Sequence, residues 1–145
     1  MDFINRLIHA ITQVHPTHPK FVHIPIALTG AAFLFILLAY WRKSPALEQT
    51  AFANMVLAAI STIVAGFTGA MDNMKNYDGA APNAMVKIIL ATVLFLLTTT
   101  LSIVRYRNPE IFQKGNRLFY MASYGLSFGI ALTLAFLGGV ILYGF

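Results

Sequence analysis

The sequence predicts an all-α polytopic membrane protein, with four transmembrane helices in an up-down bundle behind a short amphipathic N-terminal helix. Three observations point there. Of 145 residues, 58% are hydrophobic and only 10% charged, and the mean hydropathy is +0.71, whereas a soluble domain carries about 25% charged residues. Four nearly uncharged stretches of roughly 20 residues can be marked off, each able to cross a hydrocarbon core ~30 Å thick at ~1.5 Å per residue. The stretches are continuous rather than alternating, which excludes barrel strands, and an open sheet would leave backbone groups unpaired in lipid.

The elements follow in order. Within residues 1–14, Phe3, Ile4, Leu7, Ile8, Ile11 and Val14 recur at helical spacing, while Asp2, Asn5, Arg6, His9 and Gln13 fall elsewhere. That pattern suits a helix in the headgroup layer or one packed on a partner subunit. It lacks the basic start, short apolar run and cleavage site of a signal peptide, so no cleaved leader is expected. Residues 15–145 form the membrane domain, with spans at about 21–41, 50–70, 84–104 and 118–143. Arg42, Lys43, Ser44 and Pro45 make a tight turn between the first two spans, and a charged turn from Arg105 through Arg117 joins the last two. Phe33, Phe35, Tyr40, Trp41, Phe95, Tyr120 and Tyr124 are expected on or near lipid. Gly66, Gly69, Gly125, Gly129, Gly138 and Gly139 allow close helix approach.

Sidedness follows from Lys and Arg. The two hairpin turns hold Arg42, Lys43, Arg105, Arg107, Lys114 and Arg117, against Arg6, Lys20, Lys75 and Lys87 on the opposite side. The excess favours cytoplasmic turns, with both termini and the segment 72–83 on the extracytoplasmic side. The basic residues form no stripe interleaved with exposed aromatics, which argues against nucleic acid and for membrane lipid as their partner.

The extracytoplasmic end is where chemistry is expected. His15, His18 and His23 crowd the mouth of the first span, Asp72 closes the second, Lys87 opens the third, and Tyr143 ends the fourth. Ionisable groups at a span's rim cost free energy unless they face the bundle interior, pair, or line a wet cavity. A polar pocket therefore joins His18, His23 and Tyr143 as candidate cofactor-binding residues, and His15, His18, His23 and Asp72 as candidate metal ligands. Each has a plainer reading: His15 and His18 solvated among headgroups, His23 held by a carboxylate or carbonyl, Asp72 in a solvated loop or paired with Lys87 or His23. Pro25 suits a helix start or a loosened first turn. The chain has no cysteine, which removes disulfides, thiolate metal sites, iron–sulfur ligation and covalent c-type haem. A bis-histidine haem within one chain lacks a second ligand, since the later spans contain no histidine. A single histidine holding haem or a chlorophyll-type pigment needs only His23. No nucleophile–base pair, paired intramembrane carboxylates or phosphate-cradling glycine loop is visible, so no catalytic residue is assigned.

The segment from His18 to Leu28, read as HPKFVHIPIAL, resembles the "HPxxVHFPIAL" opening of the bacterial membrane family catalogued as domain of unknown function 2231. Leu137 to Gly144 is similar to that family's "LGGxLVYxxG" close, and Gly66 to Asp72 to its glycine-then-aspartate end of helix two; the likeness spans Pro16 to Phe145. It implies a four-helix domain of the bacterial inner membrane, in relatives sometimes fused to Rieske or cytochrome-type modules, hence electron-transfer surroundings. Members often carry a histidine near the start of helix three and another beside the helix-four glycines, where this chain has Lys87 and Phe136. The resulting expectation is a non-catalytic accessory subunit of a respiratory or photosynthetic complex, touching lipids and other subunits or its own copies. Alternatives are a redox or metal-binding protein that holds haem, pigment or a divalent ion through His23, and a quinone or lipid binder.

Overall fold

A computed structural model describes residues 3–5, 18–114 and 116–143, with side chains through residue 140. Residues 3–5 are helical and exposed; the rest of the expected N-terminal helix lies outside the described residues. The membrane domain contains α1 (His18–Arg42), α2 (Pro45–Tyr77), α3 (Ala84–Arg107), the single turn α4 (Ile111–Lys114) and α5 (Arg117–Tyr143). The four long helices pack α1 on α2, α2 on α3, α3 on α5 and α5 on α1, which closes a four-sided up-down bundle. All four are long and apolar enough to span a membrane, and only 17–33% of each span's most apolar window is buried. Most of the apolar surface thus faces outward, as lipid requires. The chain is an integral membrane protein with four spans.

Local chemistry sets the helix ends. Lys43 takes a left-handed φ of 50°, and the Ser44 amide donates to the Ala39 carbonyl at 3.1 Å, a bond that closes the end of α1. Ser44 then caps α2 through its hydroxyl, which accepts from the Leu47 amide at 3.4 Å, and Pro45 takes the first helical position, where its missing donor costs nothing. As a result α2 begins five residues before the apolar stretch and runs for 33 residues, about 50 Å. Its far end overhangs the hydrocarbon. There Asn73 staples the next turn, its Oδ1 accepting from the Ala81 amide at 3.0 Å and its Nδ2 donating to the Gly79 carbonyl at 3.3 Å. Gly79 has φ +82°, which a Cβ would strain.

Pro25 lies inside α1 rather than at its start, because the helix already begins at His18 and Pro19. It frees one carbonyl of the preceding turn, and the Thr29 hydroxyl donates to Pro25's own carbonyl at 2.7 Å. The buried hydroxyls of Thr62, Thr98 and Ser127 likewise donate within their own helices, which satisfies them without a partner helix.

Packing depends on small residues. Ala32, Ala39, Ala51 and Ala58 are fully buried, so α1 and α2 approach closely. Between α1 and α5 two ring-on-glycine contacts run in opposite directions. Phe128 covers Gly30, where an added Cβ would lie 2.9 Å from the ring, and Phe33 covers Gly125, at 3.0 Å. Gly66, Gly129 and Gly138, by contrast, have nothing within 4 Å of an added Cβ. Tyr120 and Tyr124 are 2% and 0% exposed, which corrects their expected position at the lipid face. The polar network beside them explains it.

Candidate functional site

Polar groups collect at both ends of the bundle. At the end with the hairpin turns, Glu48 projects from the first turn of α2 and Arg105 from the last turn of α3. Each charge has the sign that its helix terminus favours. The guanidinium grips the carboxylate with both arms, Nε to Oε1 and a terminal nitrogen to Oε2, each at 2.6 Å. The Glu48 side chain is 5% exposed and that of Arg105 15%. From α5 the Tyr120 hydroxyl donates to Glu48 Oε1 at 3.4 Å and bonds the Tyr124 hydroxyl at 2.7 Å, with the rings edge-to-face at a centroid distance of 4.9 Å. Arg105 also lies over the Phe52 ring at 5.5 Å, and Arg117 of α5 over Tyr40 of α1 at 4.6 Å. Side chains from all four long helices therefore interlock at this end. The bidentate geometry and the extra hydroxyl are what a buried ion pair needs to offset desolvation.

At the opposite end the Asp72 carboxylate accepts from the His18 backbone amide at 2.7 Å. This caps the N-terminus of α1 from a neighbouring helix and sets negative charge where the dipole favours it. The His18 ring lies 3.4 Å from the Thr68 hydroxyl and packs on Gly69, where an added Cβ would meet it at 3.0 Å.

The structure thus brings His18 and Asp72 together, with Thr68 and Gly69 beside them. It does not bring His23 to them. His23 is exposed, and no side-chain hydrogen bond among the described residues reaches its imidazole. It lies two residues from the buried Pro25, about 200° around the helix, so its imidazole faces outward from an apolar surface. Asp72's observed partner is the His18 amide, not the His23 ring. Among the described residues no three His, Asp or Glu side chains converge to hold a metal ion. His15 and the side chain of Tyr143 lie outside the described residues.

Sequence reasoning missed Glu48, Arg105, Tyr120 and Tyr124 as a unit. A signal existed: Glu48 stands against the apolar start of the second span, Arg105 ends the third at the same side, and the tyrosines are four residues apart on one helical face. An acid at a span's rim calls for a partner.

No curated protein and no solved structure matches the chain. A family model described as "Predicted membrane protein (DUF2231)" matches residues 14–145.

Proposed function

Since the chain belongs to the DUF2231 family of predicted membrane proteins, we propose that it is a non-catalytic accessory subunit of a larger membrane assembly. An electron-transfer complex of the respiratory or photosynthetic kind is the setting that the sequence resemblance suggests. One contrast carries the reading. The inward ionisable groups are committed to holding helices together, Glu48 to Arg105 and Asp72 to His18. The outward surface keeps the uncovered backbone at Gly66 and Gly129 and the exposed imidazole of His23. Uncovered glycine allows another helix to approach closely in lipid, where association depends on packing. Cross-linking in native membranes, followed by purification in mild detergent, tests this. A stoichiometric partner that is lost in Gly66→Leu/Gly129→Leu, without a fall in thermal stability, supports the subunit reading; a lone monomer under the same conditions ends it.

The exposure of His23 favours a second reading, in which its imidazole ligates haem, a chlorophyll-type pigment or a divalent ion shared with a neighbouring chain. An absorption band or bound metal that disappears in His23→Ala supports it. Colourless, metal-free protein from native membranes refutes it. Sidedness belongs to the same proposal: the turns on the cytoplasmic side and the termini outside, as the Lys and Arg distribution favours.

A further inference from the structure

A groove of about 1060 Å³ opens between α3 and α5 at the hairpin end, beneath the α4 turn. Its wall and its mouth differ in chemistry. Leu97, Leu101 and Val104 line it along α3 and Phe119 along α5; from Leu97 to Val104 it descends about 10 Å along the helix. Arg107 and Lys114 stand at the mouth, with Asn116 at the start of α5, a 27-residue helix with no acid in its first turn. One carboxylate is also there: Glu110 accepts from the Lys114 ammonium at 2.6 Å. Around the groove the whole end of the bundle is basic. Arg42, Lys43, Arg105, Arg107, Lys114 and Arg117 face only two acids, Glu48 and Glu110, and Glu48 is consumed by Arg105.

We propose that this groove binds an anionic phospholipid, with an acyl chain lying along the apolar α3–α5 wall and the phosphate held by Arg107, Lys114 and the start of α5. Amphiphilic form and charge select this occupant. A soluble anion has no use for the apolar wall, and a zwitterionic lipid gains little from the surplus cations. Basic pockets between spans are a recurrent means of holding anionic headgroups, and a helix N-terminus adds donors of the right polarity.

The test uses the full chain in mild detergent, offered equal amounts of phosphatidylglycerol and phosphatidylethanolamine, with retained lipid counted by native mass spectrometry. Phosphatidylglycerol should be retained about fivefold over phosphatidylethanolamine. Arg107→Gln/Lys114→Gln should abolish the preference, whereas Arg42→Gln/Lys43→Gln, which removes the same charge outside the groove, should keep it. Glu110→Gln should raise it, by removing the acid from the mouth. Equal retention of the two lipids, or equal loss in both double variants, overturns the proposal. So does stabilisation against heat by inorganic phosphate alone that matches stabilisation by phosphatidylglycerol, since that would make the site an anion site without a lipid.

Discussion

Removing Arg105 should be among the most damaging single changes in this bundle. In Arg105→Met a chain of similar reach remains, but the Glu48 carboxylate, in a residue 4% exposed, keeps only the Tyr120 hydroxyl at 3.4 Å of its three side-chain bonds. Stranding one member of a buried pair costs about 3–5 kcal/mol. The α2 N-terminus, beside which Glu48 lies, offsets up to ~1 kcal/mol of that, so a net loss of about 2–4 kcal/mol is expected. At roughly 3 °C per kcal/mol for a chain of this size, the melting temperature should fall by about 6–12 °C. Glu48→Gln retains shape and one acceptor and should cost less, about 1.5–3 kcal/mol. Glu48→Leu/Arg105→Met removes both charges and should recover most of the loss, because apolar replacement of a whole buried pair is often near neutral. Thermal melts in mild detergent, followed by far-ultraviolet circular dichroism, measure all three. Single variants that melt with the parent, or a double variant that loses the sum of the singles, refute the reasoning.

Three further outcomes are expected. Asp72→Ala should destabilise by about 1 kcal/mol through loss of the α1 cap, visible as faster hydrogen exchange in the first turn of α1, while Asp72→Asn should retain most of the stability. Gly30→Ala forces the Phe128 ring to move and should cost about 1–3 kcal/mol in the same melts, whereas Gly66→Ala, with open space around it, should be neutral or stabilising by up to ~1 kcal/mol. Because the chain contains no cysteine, single cysteines report sidedness cleanly. An impermeant maleimide applied to intact cells should label Asn76→Cys and leave Ala46→Cys unlabelled, and the reverse pattern would invert the topology.

The four spans were legible because lipid imposes a one-dimensional demand, an unbroken apolar run of fixed length, that sequence displays directly. The helix boundaries were less so. Hydropathy marks where lipid begins, but Ser44 and Asn73 decide where α2 and its turn are capped, and they lie outside the apolar run. At the end opposite the hairpin turns, sequence reasoning placed His18 and Asp72 on one rim, yet the bond goes through a backbone amide that every residue but proline possesses. No residue type announces such a contact. Tyr120 and Tyr124 read in sequence as aromatics on or near lipid; the acid that Tyr120 meets inside the bundle, Glu48, stands 72 residues away from it in sequence.

The division of the ion pair between α2 and α3 bears on how the chain is built. A nascent chain emerges from its amino end, so the first hairpin must enter the bilayer while the acid has no base to meet. Its place in the first turn of α2, where a carboxylate can stay hydrated among headgroups, keeps that intermediate tolerable. Only when the third helix has been released does Arg105 arrive to neutralise it, and only with the fourth do the tyrosines seal the bond from water. The first two helices alone are therefore an unfinished product, which a cell's membrane quality control should distinguish from the completed chain by one unpartnered acid.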